Sequence, residues 1–225
     1  MTVKLDIFSD PICPWCYIGK TYLDRALAEF ENPPFVIEWH PFQLNPDMPA
    51  LGMDRRAYLE GKFGGQQGAV QAYLPVTQHA QAAGLEFALD RIQRTPNTLN
   101  AHRLIHWAGL EAKQTLVVSA LFTAYFENGR DIGDVEELIA IGTACDMDPE
   151  MVSRLFASDA DRDDLQARDE HARAKGITSV PTFLVANTYA ISGAQSPETW
   201  KNIIQELLAK LGDASDQNPE NTTLH

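Results

Sequence analysis

Residues 8–19 read Phe8-Ser9-Asp10-Pro11-Ile12-Cys13-Pro14-Trp15-Cys16-Tyr17-Ile18-Gly19. Before this stretch, residues 3–8 form a short alternating segment that is typical of a β-strand. After it, apolar residues recur at helical spacing as far as Asn32-Pro33-Pro34, and residues 35–39 are rich in strand-forming side chains. The chain therefore opens as strand, helix and strand, which is typical of the start of an α/β sheet.

The middle of the chain has a different character from its two ends. From about residue 54 to residue 175 nearly every segment has helical periodicity, and Pro75 is expected to kink or split one of these helices. Strand character returns at residues 182–185 and 189–191, and Ser196-Pro197-Glu198 begins a final amphipathic helix. We therefore predict a discontinuous α/β domain of residues 1–45 and 176–211, an inserted helical domain of residues 46–175, and a disordered tail of residues 212–225.

Composition and charge limit the classes of function. The 225 residues are 44% hydrophobic, which is enough for a sizeable core. The net charge of -13 disfavours nucleic acid and anionic membranes as partners, because an acidic surface repels phosphate groups. No run approaches the roughly 18 apolar residues of a transmembrane helix, and the first residues do not have the pattern of a secretory leader. We expect a cytoplasmic protein, a monomer or a homodimer, with neither nucleic acid nor membrane as a partner.

Cys13 and Cys16 are the residues on which the predicted chemistry rests. Two cysteines three residues apart at the start of a helix lie on one face, close enough to form a disulfide. The unpaired N–H groups and the positive end of the helix dipole favour a thiolate at Cys13, which would be the nucleophile, while Cys16 would resolve the mixed disulfide. Pro14 would stiffen the loop, and Trp15 would offer a flat apolar surface to a bound peptide or ligand.

A metal site is the first alternative for such a cysteine pair. Structural zinc needs two further ligands, usually a second close pair of cysteines or histidines. The sequence offers only the lone Cys145 and the pair His102 and His106, which lies in an apolar helical segment. We expect these three residues to be structural, and we predict no metal and no cofactor beyond the redox-active disulfide.

Two distant stretches resemble one known family. Residues 8–19 are similar to the active-site segment of DsbA-like proteins, and residues 176–183, Gly176-Ile177-Thr178-Ser179-Val180-Pro181-Thr182-Phe183, resemble the second signature of that fold. Residues 96–104 and 191–195 resemble the FrnE-like branch of the family, which is cytosolic. The resemblance covers about residues 3–211. It implies an α/β thioredoxin fold with a large all-helical insertion between an N-terminal β-α-β unit and a C-terminal β-β-α unit.

The resemblance also assigns roles to the second signature. In this family a cis proline, here Pro181, faces the cysteine pair. The backbone of the preceding residue, here Val180, is exposed there for strand-like pairing with a bound peptide or thiol. The resemblance therefore implies a substrate-binding wall made of Val180 and Pro181, opposite Pro14 and Trp15.

The sequence departs from the family pattern at the buried acid. In thioredoxin and DsbA that acid lies on the strand six residues before the first cysteine, where this chain has Ile7. Asp6 should point to the opposite face of the strand, because strand side chains alternate. Proton transfer therefore falls to water or to a nearby group such as Asp10, whose negative charge would oppose a thiolate at Cys13. His40 is a weaker candidate, expected to be structural.

These features together predict a thiol–disulfide oxidoreductase that exchanges disulfides with protein or small-thiol substrates, with glutathione as a candidate co-substrate.

The rival function is that of the kappa-class glutathione transferases and 2-hydroxychromene-2-carboxylate isomerases, which share the fold. They activate glutathione with a single Ser or Cys at the position of Cys13, so Cys16 would have no purpose there. Their acidic glutathione-binding residue is also not evident in residues 193–196. A third hypothesis is a binding module or holdase with an apolar groove. The direction of electron flow is left open.

Overall fold

The computed structural model describes residues 2–216, with side chains for residues 2–212. In chain order its elements are β1 (Val3–Ser9), α1 (Pro14–Leu27), β2 (Phe35–Pro41), β3 (Met53–Asp54), α2 (Arg55–Phe63), α3 (Gln66–Ala82), β4 (Arg94–Thr95), α4 (Leu99–Leu110), α5 (Gln114–Phe122), a π-helical turn (Thr123–Glu127), α6 (Val135–Ala144), α7 (Pro149–Phe156), α8 (Arg162–Ala174), β5 (Thr182–Val185), β6 (Tyr189–Ser192) and α9 (Pro197–Asp216). The chain therefore has the predicted thioredoxin fold, with a long helical segment between β2 and β5.

The main sheet brings the two ends of the chain together. Its strand order is β2-β1-β5-β6, and β1 pairs in parallel with β2 through the α1 crossover. On its other side β1 pairs antiparallel with β5, where Ile7 lies opposite Phe183. A hairpin through Ala186 and Asn187, which both have positive φ, connects β5 to β6. The loop that leaves β1 and the loop that enters β5 therefore meet at one end of the sheet.

The inserted segment is helical with two exceptions to the prediction. First, β3 and β4 form a two-residue antiparallel ladder, with Met53 opposite Thr95, so the insertion is not all-helical. Strands this short carry no hydrophobic period that a sequence pattern would reveal. Second, α3 is continuous from Gln66 to Ala82, so of the two outcomes expected at Pro75, a kink or a split, the split does not occur. Burial of Val76 and Ala80 after the proline offsets the one backbone hydrogen bond that it removes.

One continuous core joins the sheet to the insertion. It includes Leu5, Ile7 and Phe183 from the sheet together with Leu104 and Phe122 from the helical segment, each at most 1% exposed. On the C-terminal side, the α9 residue Trp200 packs edge-on against Phe183 at a ring-centroid distance of 4.8 Å. The two parts are therefore packed as one body, and the domain boundaries at residues 45 and 176 stay a prediction.

The C-terminal helix is longer than predicted. It continues through Gly212 to Asp216, so the first five residues of the predicted disordered tail are helical. A glycine inside a helix costs only about 1 kcal/mol relative to alanine, which is too little to end a helix by itself. The rest of the predicted tail, residues 217–225, lies outside the described residues. Over residues 2–216, no helix combines the length and the apolar character that crossing a membrane would require.

Candidate active site

The first helix begins at the cysteine pair, as predicted. Cys13 is the N-cap residue of α1 with extended backbone, and Pro14 occupies the first turn, where a missing N–H costs nothing. The Cys13 carbonyl accepts from the N–H of Cys16 at 3.1 Å and of Tyr17 at 3.3 Å. Both cysteines are nearly covered, with Cys13 4% and Cys16 1% exposed. The pair therefore lies on one helical turn, with Cys13 at the end where the backbone N–H groups are unpaired.

The second signature lies against this turn. The Cys13 Sγ is 3.6 Å from the carbonyl oxygen of Val180, although 167 residues separate the two in the chain. The peptide bond between Val180 and Pro181 is cis. The lack of a side chain at Gly19 lets helix α1 pack closely against Pro181, because a Cβ added at Gly19 would lie 3.1 Å from Cγ of Pro181. The structure thus brings together the residues that the resemblance paired.

Cys16 is the more deeply buried of the two thiols. Burial raises the pKa of Cys16 well above its ordinary value, and the neighbouring Cys13 adds to the shift. The Ser9 hydroxyl and the backbone N–H of Asp10 oppose it by hydrogen bonding to the Cys16 sulfur. Cys16 is therefore held as a thiol at neutral pH and must lose a proton before it can attack a disulfide.

Ser9 is a site residue that the sequence analysis missed. It ends β1 two positions after Ile7, so the two side chains share one face of the strand. Ile7, at the position of the family's acid, is fully buried in the core. The hydroxyl of Ser9, 5% exposed, reaches Cys16 instead. Strand alternation is the signal that could have found it, because it places the side chains of Ser9 and Ile7 on the same face of β1.

Asp10 lies beneath the cysteine loop and is fully buried. Its carboxylate accepts from the N–H of Ile12 at 3.3 Å and of Leu44 at 2.6 Å, and so ties the loop to the segment after β2. Burial raises the pKa of Asp10 to about 7, and the negative charge of Asp169 adds to this rise. The hydrogen bonds from the two N–H groups and from Thr98 act in the opposite direction and lower the pKa. The carboxyl therefore holds its proton to a much higher pH than an ordinary aspartate does.

His102 faces Asp10 without forming an ion pair. The Nε2 of His102 lies 3.9 Å from Oδ1 of Asp10 and has no hydrogen-bond partner among the described residues. Burial, assisted by the charge of Arg168, lowers the pKa of His102 to about 3, so the ring is neutral at physiological pH. It is a buried helix residue, as predicted.

Asp6 and His40 lie away from the cysteine pair. Asp6 points to the face of the sheet that α8 covers, where His40 Nε2 lies 2.5 Å from its carboxylate and Lys4 Nζ lies 2.8 Å from it. Burial lowers the pKa of His40. Asp6, Glu38 and His40 are spaced as metal ligands could be, but Lys4 already pairs with both carboxylates, at 2.8 and 2.7 Å. We assign this group no metal and no part in proton transfer.

Cys145 is remote from this chemistry. It ends α6, is 2% exposed, and belongs to the hydrophobic core. Burial raises its pKa, so it stays a neutral thiol. This agrees with the structural role predicted for it.

A cavity opens beside Cys13. Its volume is about 320 Å³, and Pro14, Trp15 and Val180 line it together with Cys13. Trp15 is partly buried and packs edge-on against His79 at 5.1 Å. The far wall comes from the inserted segment and includes Arg55 of α2 and Tyr73 of α3. A ligand in this cavity would contact the nucleophile and three of the four predicted binding residues, Pro14, Trp15 and Val180; Pro181 is not part of the lining.

Comparisons with known proteins agree with this fold. The sequence profile described as "DSBA-like thioredoxin domain" matches residues 4–205. The crystal structure of a probable DsbA oxidoreductase from Streptomyces coelicolor is 26% identical, with a TM-score of 0.82 over 99% of this chain and 93% of that one. The uncharacterized protein YwbO of Bacillus subtilis (strain 168) is 25% identical over 207 residues, which are 92% of this chain and 98% of YwbO.

More distant structures share the fold. The cytosolic disulfide reductase DsbM from Pseudomonas aeruginosa, solved with GSH, is 16% identical with a TM-score of 0.66 over 92% of this chain and 99% of that one. A 2-hydroxychromene-2-carboxylate isomerase is 16% identical with a TM-score of 0.63 over 98% of this chain and 100% of that one. At such identities the similarity extends to the fold alone.

Proposed function

The chain belongs to the DSBA-like thioredoxin domain family, and we propose that within this family it acts as a thiol–disulfide oxidoreductase through Cys13 and Cys16. One observation carries the proposal. Two cysteines share the first turn of α1, and the outer sulfur, Cys13 Sγ, faces the Val180 carbonyl at 3.6 Å. A single activated thiol would need only Cys13, whereas a second thiol held beside it serves the resolution of a mixed disulfide.

The reaction proceeds in two balanced exchanges. The Cys13 thiolate attacks one sulfur of a substrate disulfide, forms a mixed disulfide, and releases the other sulfur as a thiolate. Cys16 then loses its proton and attacks the Cys13 sulfur, which releases the second substrate thiolate and leaves a disulfide between Cys13 and Cys16. The enzyme loses two electrons and the substrate gains two. The reverse sequence oxidises a substrate dithiol by the same steps.

We propose protein disulfides and small-thiol disulfides as the substrates, with glutathione as a co-substrate and no metal or other cofactor. Resemblance to the FrnE-like branch and structural similarity to the cytosolic DsbM, solved with GSH, support a cytoplasmic location and a glutathione partner. The net charge of -13 argues against nucleic acid and anionic membranes as partners.

A Cys16→Ala variant tests this function directly. Because the mixed disulfide on Cys13 then has no resolving thiol, it should accumulate in cell extract, where the wild-type protein leaves almost none. Non-reducing gels and mass spectrometry identify the trapped partners, and Cys145→Ala, a change at the third cysteine, serves as the control that should trap nothing. If no partner is attached to Cys13, the oxidoreductase proposal is wrong.

Ser9→Ala should slow the second exchange. Without the hydroxyl, the Cys16 thiolate loses one hydrogen bond of about 1 kcal/mol, so resolution at pH 7 should fall roughly 3- to 10-fold. Its pH midpoint should move upward, and the difference should vanish at high pH, where Cys16 is ionised in both proteins. Stopped-flow resolution of a preformed mixed disulfide across pH measures this. Ser9→Thr keeps the hydroxyl and should restore the profile; equal loss at every pH would contradict a role in ionisation.

A glutathione-dependent transferase or isomerase is the second candidate, favoured by the fold shared with the 2-hydroxychromene-2-carboxylate isomerase and by the cavity at Cys13. The Cys16→Ala trap separates the two. Protein partners on Cys13 support disulfide exchange. Glutathione alone on Cys13, with unchanged conjugation or isomerisation activity in the variant, supports the second candidate.

A further inference from the structure

Arg55 is a buried cation without an anionic partner. It is 7% exposed, and its guanidinium donates to the hydroxyls of Tyr73 and Tyr125, each at 3.1 Å. Among the side chains that the structure describes, those of residues 2–212, no Asp or Glu forms an ion pair with it. Removing a guanidinium from water without a counter-charge is costly, and such groups are normally paired with an acid. The guanidinium also lies over the rings of Tyr73 and Tyr125, at 5.4 and 5.9 Å from their centroids, but neither contact supplies the negative charge that a buried guanidinium normally has beside it.

The two tyrosines do not supply the missing negative charge. Burial raises the pKa of Tyr73 and of Tyr125, so both phenols stay protonated at physiological pH. Tyr125 donates its own proton to the Arg94 carbonyl at 3.2 Å. The Tyr73 hydroxyl accepts from Arg55 but has no acceptor for its own proton in the described part of the chain. The guanidinium thus lacks a negatively charged partner, and the phenol proton of Tyr73 lacks an acceptor within the described residues.

These donors line the cavity at the cysteine pair. Arg55, Tyr73 and Tyr125 form one wall, and Cys13, Trp15 and Val180 form another. The described lining contains two basic residues, Arg55 and Lys62, and neither Asp nor Glu. In a protein with a net charge of -13, a cavity lined by cations and by no acid is a local exception. It favours an anionic ligand, because the acidic surface elsewhere would repel one.

We propose that Arg55 and Tyr73 bind the carboxylate of a small thiol or disulfide whose sulfur reacts with Cys13. A guanidinium matches the planar carboxylate geometry, and a phenol O–H can add a third hydrogen bond. The volume of about 320 Å³ suits a small molecule and does not admit a folded protein. The inference rests on the proposed function and deepens it, by naming carboxylate-bearing small disulfides as preferred substrates.

The reaction then follows the two exchanges already given. Cys13 attacks one sulfur of the bound disulfide while Arg55 holds the carboxylate on the attached half. The other half leaves as a thiolate, and attack by Cys16 releases the held half. Two electrons pass from the cysteine pair to the small disulfide, which becomes two thiols.

The test compares two disulfides that differ only in charge, 3,3′-dithiodipropionate and its diamide. Oxidation of the reduced wild-type protein should be faster with the dicarboxylate. In Arg55→Gln, the second-order rate constant for the dicarboxylate should fall roughly 10- to 100-fold, while that for the diamide should change by less than about twofold. Tyr73→Phe should produce a smaller loss with the same selectivity, and Arg55→Lys should recover part of the rate.

Arg56→Gln is the matched control. It removes a positive charge from the next residue of α2, where the side chain is 74% exposed and pairs with Glu60 at 2.7 Å. Both disulfides should react with this variant as with the wild type. If Arg55→Gln or Tyr73→Phe slows the two disulfides equally, or if the wild-type protein does not prefer the dicarboxylate, the carboxylate site is refuted.

A binding measurement keeps this inference separate from the redox function. In a Cys13→Ser, Cys16→Ser protein, calorimetry with S-methylglutathione should detect binding that Arg55→Gln weakens at least about 10-fold and Arg56→Gln leaves unchanged. Such binding together with an absence of disulfide exchange in the wild type would overturn the proposed function but not the carboxylate site. No binding, or binding that does not depend on Arg55, would overturn the site.

Discussion

A Cys13→Ser variant is expected to lose disulfide exchange by a factor of about 1,000 or more. An alcohol is a far weaker nucleophile than a thiolate and forms no mixed disulfide, so the first exchange cannot begin. The structure leaves no substitute, because Cys16 is 1% exposed and burial raises its pKa well above the ordinary value. Disulfide transfer between the protein and a labelled peptide disulfide, followed at fixed pH, measures the loss.

Cys145→Ser is the matched control for this result. This variant makes the same Cys-to-Ser change at another buried thiol, which is 2% exposed. Cys145 lies at the end of α6, away from the first turn of α1. Its exchange rate should stay within about twofold of the wild type. A glutathione-activating enzyme of the rival class works with either Ser or Cys at the first position. Substantial catalysis of a glutathione-dependent reaction by Cys13→Ser would therefore support the rival.

Asp10→Asn should alter how stability depends on pH. The pKa of Asp10 is about 7 in the folded protein, against 3.8 ordinarily, so between these values the folded state binds more protons than the unfolded state. Under that condition the free energy of unfolding falls as pH rises. As pH rises from 4 to 7, ionisation of the buried carboxyl should lower the free energy of unfolding of the wild type by up to about 4 kcal/mol. Above pH 7 this group should lower it no further. Asparagine resembles the protonated acid and should remove this loss.

Denaturant unfolding of both proteins from pH 4 to pH 8 tests this prediction. The quantity of interest is the difference between the two curves, because the contributions of other groups, such as Glu38 and His40, are common to both proteins. Glu206→Gln removes one exposed carboxylate and controls for the acidic surface. Curves for Asp10→Asn and wild type that run parallel across this range would contradict a raised pKa for Asp10.

The sequence alone determined the features that depend on local chemistry. The spacing of Cys13 and Cys16 and the proline after Cys13 placed a dithiol at a helix start, because capping and helical periodicity act over a few residues. The strand patterns at residues 3–8, 35–39 and 182–191 predicted the β-α-β and β-β-α units in the right order. The resemblance to DsbA-like proteins then predicted that Val180 and Pro181 face the cysteine pair. No local sequence pattern encodes this long-range contact.

Tertiary structure decided what surrounds the two sulfurs. The sequence assigns Ser9 no role and offers Asp10 only as a candidate for proton transfer. The fold turns the Ser9 hydroxyl toward Cys16 and buries the Asp10 carboxylate under the loop. Arg55 had no sequence signal, because an arginine at the start of a helix is ordinarily solvated. Desolvation and unpaired charge depend on which distant segments pack together, and those segments are far apart in the chain. The dithiol was therefore evident from the sequence, whereas the contact of Ser9 with Cys16 and the burial of Asp10 and Arg55 became evident only in the folded protein.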